Sequence, residues 1–160
     1  MKLLISIVFL TLLICHCRNQ EYRLVEINQR NDLKEIRLGQ TDYYLKLPDS
    51  LVLDESSGIE GQRGYSLMTK DTFPPRMYGF IEIDLGQPLF DKMDDSRELK
   101  EKVQSDLLNN RAVWKIYQTE TRYYVATTSS KSIYSWVASK NKNYIDTLIS
   151  LITTLKRKDR

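Results

Sequence analysis

All six glycines of this 160-residue chain lie between Gly39 and Gly86, and all four prolines between Pro48 and Pro88. Residues 89–160 therefore lack both of the residues that most readily interrupt regular structure. Such a stretch has to be built from helices and strands joined by polar turns, and the first half of the chain carries the loops. There is no internal repeat and no low-complexity linker, and the length is about that of one domain. With 41% apolar and 28% charged residues, the composition excludes disordered and collagen-like chains. A domain of this size hides about two-thirds of its unfolded surface, so it needs no disulfide scaffold.

Residues 1–17 stand apart from the fold. Lys2 precedes a twelve-residue apolar run, residues 3–14, broken by Ser6 and Thr11, and polar Arg18, Asn19 and Gln20 follow. This is the layout of a secretory signal peptide, and the run is too short for the roughly 20 apolar residues of a membrane span. Cys15 and Cys17, the only cysteines, sit where the run ends. Their position resembles a bacterial lipoprotein signal, with Cys17 as the acylated residue, although His16 stands where that signal has a small residue. Simple cleavage after Cys17 fits as well. The expected organisation is a signal at 1–17, a tether or edge strand at 18–32, and one domain over 33–160. The expected location is the cell envelope or periplasm, with a membrane connection only through the N-terminal lipid.

Loss of the leader removes Lys2 and lowers the net charge from +3 to +2. A nucleic-acid partner is not expected, because such proteins carry a basic stripe that displaces counterions from phosphates. The one local excess, Lys156, Arg157, Lys158 and Arg160, is expected to complement the dipole of a C-terminal helix.

Residues 34–38 and 43–47 alternate apolar and polar side chains across Gly39, Gln40, Thr41 and Asp42, the pattern of a hairpin. Residues 51–53 continue in extended form, and 54–64 read as a loop. Residues 65–69 form a short strand and 77–85 a strong one, with Gly79, Ile81 and Ile83 on the face opposite Tyr78, Phe80 and Glu82. Asp95 and Glu98 have capping-box spacing. Leu99, Val103 and Leu107 follow at i, i+4 and i+8, which predicts a helix stopped by Asn109 and Asn110. Residues 112–118, 122–128 and 132–139 predict an antiparallel meander. Tyr144, Ile145, Leu148, Ile149, Ile152 and Leu155 predict a closing helix. The expected fold class is α+β, an antiparallel sheet with helices.

With Tyr43, Tyr44, Leu45, Lys46, Leu47 and Pro48 as an early strand ending in Leu-Pro, a glycine loop leading to Tyr65, a long central strand and a closing helix over 144–155, the sequence resembles the Mog1/PsbP-like group. The resemblance covers most of residues 34–156. It implies a Mog1/PsbP-like sandwich and an accessory or binding role, and it supplies no catalytic residue.

Chemistry is restricted by what the chain lacks. Its one histidine, His16, lies in the leader, so the remaining chain has no imidazole and no thiol. Triad catalysis and the nitrogen and sulfur ligands of zinc, copper and haem are excluded there. No cofactor and no metal are expected. Glu82 and Asp84 are two apart on a strand, about 7 Å along one face, a spacing open to a carboxylate hydrolase but also produced by any polar strand face. Asp91, Asp94 and Asp95 fit a helix start better than a calcium loop. The glycines at 58, 61 and 64 lack the Lys-Ser/Thr of a phosphate-binding loop. Among Trp114, Tyr117, Tyr123, Tyr124, Tyr134 and Trp136, most are expected in the core and a minority on a binding face, with Tyr123 and Tyr124 on opposite sides.

These features favour a non-catalytic accessory module that binds an envelope protein. Its expected contact residues are Glu60, Arg63 and Tyr65 of the 54–75 segment, with Glu82 and Asp84 as a polar rim. A periplasmic immunity or inhibitor protein is a specific version of this class, and a carboxylate-dependent envelope glycan hydrolase is the alternative.

Overall fold

The computed structural model describes residues 22–25, 32–57, 63–70, 75–83, 98–129 and 133–158. In chain order the strands are β1 (Arg23–Leu24), β2 (Lys34–Arg37), β3 (Tyr43–Leu47), β4 (Leu51–Ser57), β5 (Arg63–Thr69), β6 (Met77–Ile83), β7 (Glu98–Leu107), β8 (Asn110–Gln118), β9 (Tyr124–Ser129) and β10 (Ile133–Ser139). Helix α1 (Lys142–Ile152) and strand β11 (Lys156–Arg157) complete the described chain. Eight strands make a large sheet in the order β1-β7-β8-β9-β10-β6-β5-β4, and three make a small one in the order β11-β3-β2. Every pairing is antiparallel except β1 with β7.

Two apolar surfaces meet at α1. The helix packs against β10, β6, β9 and β7 of the large sheet and against β3 of the small one. Ile145, Leu148, Ile149 and Ile152 are buried completely, the outcome of their helical spacing. Asn141 caps the helix, its side chain accepting a hydrogen bond from the Asn143 amide at 3.0 Å. In β3, Tyr43, Leu45 and Leu47 face this core while Lys46 faces solvent, as the sequence alternation requires. On the large sheet Leu67, Gly79, Val137, Ala126 and Ile116 form one inward row across five strands. Gly79 is needed there, since a Cβ would meet Val137 Cγ1 at 3.0 Å and the Trp136 carbonyl oxygen at 3.2 Å.

The α+β expectation is corrected: the described chain is mostly β, with one helix of eleven residues. The helix predicted after Asp95 is instead β7, for Glu98–Leu107 is a strand paired along its length with β8. The apolar residues 99, 103 and 107 are separated by even numbers, so one pattern serves a helix face and a strand face. Ser105, buried between Val103 and Leu107, belongs to the strand pattern. A bulge between Leu99 and Glu101 then turns Leu99 to the other side. At the far end, the expected helix stop is a two-residue hairpin turn, with Leu108 at φ 50° and Asn109 at φ 61°. Two positive φ values are what the twist of a tight hairpin demands. The capping residue Asp95 lies outside the described residues.

Two further expectations change. Residues 54–57 and 63–64, read as loop, extend the β4–β5 ladder. The cations after α1 do not cap it, because Lys156 and Arg157 turn back as β11 and pair with Tyr44 and Tyr43. Lys156 and Lys158 both bond to Glu35 of β2, so Glu35 bridges the two edges of the small sheet. Lys156 first, then Lys158, holds the Glu35 carboxyl down at about 2 against an ordinary 4.5. A depressed carboxylate contributes stability that is complete above the ordinary value and disappears as pH falls through the depressed one. Acidification from pH 4.5 to 2 is therefore expected to loosen β11. After correction for the intrinsic pH dependence of exchange, the protection of the β11 amides should fall over that window in the wild type, whereas in Glu35→Gln it should already be low at neutral pH and change little.

The edge strand β1 is held from the helix side. Arg23 bonds to Glu101 of β7 at 2.5 Å and to Asp146 of α1 at 2.8 Å, and Lys142 meets the other oxygen of Glu101 at 2.5 Å. Asp146 first, then Glu101, makes Arg23 still harder to deprotonate, and Arg23 leads in holding Glu101 below its usual range. With Arg23 turned toward the helix, strand alternation turns Tyr22 and Leu24 to the opposite face.

Candidate functional site: the outer face of the large sheet

The large sheet has one face on α1. On its other face the cross-strand register aligns Val52, Met68, Tyr78, Ala138, Val125, Tyr117 and Leu99, one residue each from β4, β5, β6, β10, β9, β8 and β7. Seven strands at about 4.8 Å spacing make this apolar row about 29 Å long. All the exposed large hydrophobics among the described residues belong to this face: Val52, Leu99, Tyr22 and Leu24, at 36% to 68% exposure. Val125 and Ala138 at the centre of the row are buried, Met68, Tyr78 and Tyr117 are half-buried, and Val52 and Leu99 at its ends are exposed.

The next row toward the middle of the strands runs Asp54, Ser66, Phe80, Trp136, Thr127, Lys115 and Lys102. Its centre is aromatic. The Trp136 ring stacks on Phe80 at 6.4 Å and meets Tyr78 edge-on at 6.2 Å, and Tyr78 lies 6.4 Å from Tyr123. These four rings are half-buried, each shielding its neighbours while keeping part of its surface open. Burial first, then the Tyr123 hydroxyl, pushes the Tyr78 phenol up from its ordinary value. Lys140 sits over Tyr123, its Nζ 5.3 Å from the ring centre, close enough for a cation–π contact.

Of the residues expected to form the contact site, Tyr65 and Glu82 stand on opposite faces of the large sheet. Tyr65 is 1% exposed on the helix side of the sheet, and its hydroxyl donates to the Leu38 carbonyl at 3.2 Å. That bond fastens the β2–β3 turn to β5, a structural task. Glu82 faces the opposite side, opposite Gly64 and Tyr134, and is buried to 4% exposure. Burial pushes its carboxyl up from the ordinary value. Arg63 opens β5 opposite Ser57 and Ile83. Glu60, Asp84 and Cys17 lie outside the described residues. Among the described residues no three His, Cys, Asp or Glu side chains gather as a metal site. No helix among them is long and apolar enough to cross a membrane.

Of the six meander aromatics, Trp114 is fully buried, Tyr134 is nearly so, and Tyr124 packs against the core. Tyr117, Tyr123 and Trp136 belong to the outer face, so Tyr123 and Tyr124 do diverge. The members contributed by β4, β5 and β7 have no local signature in the sequence, because only the ladder brings Val52, Met68 and Leu99 into line with them. No protein-family model matches the chain, and no curated relative matches it. The resemblance to the Mog1/PsbP-like group therefore rests on sequence pattern alone.

Proposed function

We propose that the protein is an exported accessory module, anchored by lipid at Cys17, that works without catalysis by holding another protein of the cell envelope on the outer face of its large sheet. The observation that carries this is the apolar row from Val52 to Leu99, with Phe80 and Trp136 beside it. The exposed ends of this row, Val52 and Leu99, and the half-buried Tyr78, Tyr117, Phe80 and Trp136 leave apolar surface in water of the kind that floors a protein interface, where aromatic residues supply most of the affinity. The leader supports export, and Cys17 lies only five residues before Tyr22 at the rim of the same face.

Photo-crosslinking in cells tests the docking face. A photoreactive side chain at Leu99 or Val52 is expected to give a discrete heavier adduct, and one at Lys46 on the small sheet is not. Adducts from Lys46 alone would move the interface to the other side of the molecule. Intact mass of the native protein checks the leader: loss of sixteen residues with added acyl mass is expected, and retention of residues 1–14 would contradict export.

A further inference from the structure

The edge of the large sheet beside α1 holds a weakly seated strand. β7 is ten residues long, yet its ladder with β1 covers Val103 and Gln104 alone, extended by a hydrogen bond from the Val25 amide to the Gln104 carbonyl at 3.0 Å. Among the described residues no other strand lies on this side of β7. The pairing is parallel, the slightly less stable arrangement per residue. Tyr22, Arg23 and Leu24 are exposed, Leu24 to 68%. What seats β1 is therefore on the helix side. Arg23 stands opposite Val103 and reaches two carboxylates on different elements, Glu101 of β7 and Asp146 of α1, while Lys142 meets the second oxygen of Glu101. Two residues on, Val25 packs against the core.

We propose that this edge is a docking site for an extended strand of another polypeptide, one carrying arginine followed two residues later by an apolar side chain, and that β1 is its resident, displaceable occupant. An edge strand offers backbone donors and acceptors to any extended chain, and the side chains that alternate toward the sheet set the choice. Arginine is selected because its planar fork of donors serves both carboxylates at once, whereas a lysine ammonium is a compact point charge. The incoming strand prevails when it pairs with more of β7 than β1 does, since each added residue contributes ladder hydrogen bonds that β1 does not make. This site is the edge of the sheet and does not depend on the role of the outer face.

A fluorescein-labelled peptide with the sequence of residues 20–27 is the probe, titrated against the full-length protein by fluorescence anisotropy. Binding to the wild type is expected, and binding about tenfold tighter to Arg23→Ala, whose own strand has lost its charged contacts. A peptide with alanine in place of the arginine should bind Arg23→Ala about tenfold more weakly, and so should the original peptide toward Arg23→Ala/Asp146→Ala. Val25→Pro removes the amide bond to Gln104 and opens the site by a second route, so it too should bind more tightly than the wild type. Amide signals of Val103 and Gln104 should shift on binding. No binding to either Arg23→Ala or Val25→Pro, affinity indifferent to the arginine of the peptide, or shifts confined to β4 at the opposite edge would overturn the proposal. Binding to the variants with none to the wild type would overturn it as well, because β1 would then be a fixed part of the sheet.

Discussion

Replacing Ile149 with alanine is expected to lower the unfolding free energy by about 2 to 5 kcal/mol, the cost of a large-to-small change in a site that cannot collapse. Ile149 has no solvent exposure, and its helix packs against strands of both sheets. The void would therefore open where the α1 surface meets packed strands on more than one side. Truncation before Tyr144 goes further. It removes the buried stripe of α1 together with β11, and exposes the inward rows of both sheets to water. Cooperative melting is expected to vanish in the truncated chain, and denaturant unfolding of Ile149→Ala gives the magnitude. A loss below 1 kcal/mol in Ile149→Ala would show that the helix is a peripheral cover and not the centre of the core.

Trp114→Ala is expected to cost about 3 to 5 kcal/mol. The indole is the largest fully buried side chain and stands opposite Val103 across the β7–β8 ladder. Its Nε1–H donates to Ser105 Oγ at 3.0 Å, and Ser105 is itself buried. Trp114→Phe separates the two contributions. Most of the apolar volume remains, but Ser105 loses its donor, which costs about 1 to 3 kcal/mol when a buried polar group is left unsatisfied. Trp114→Phe combined with Ser105→Ala should recover part of that loss. Full stability in Trp114→Phe would mean that packing alone accounts for the site.

The Trp114–Ser105 pair also shows why β7 is hidden in the sequence. Residues 98–107 are rich in Glu, Lys, Leu and Gln, which favour helix, and their apolar members are spaced so that helix and strand share them. The strand prevails because β8 supplies a partner along its whole length and the turn at Leu108 and Asn109 brings it back in register. Ser105 was the discriminating residue: a small polar side chain on the buried face makes sense only when a donor such as Trp114 waits across the ladder.

The candidate site was legible in part. Alternation separates Tyr123 from Tyr124, and it places Tyr78, Phe80 and Glu82 together on one side of β6. The expectation that Tyr65 and Glu82 act together failed on register, since Tyr65 pairs with Ile81 and shares its inward face. A slip of one residue reverses the side on which every residue of a strand stands, and the register of β5 against β6 is set by contacts across the chain.

What the sequence by itself determined is local: the β2–β3 hairpin, the β8–β9–β10 meander and the α1 stripe, each carried by a period of two or of 3.6 within one short segment. The tertiary structure decided that β6 lies beside β10, that residues 98–107 extend instead of coiling, that Lys156 and Arg157 return to β3, and that seven strands align one apolar row. Periodicity specifies which side chains share a face, but not which face finds a partner. That choice is made by pairing and burial between residues far apart in the chain, whose energies no single segment contains.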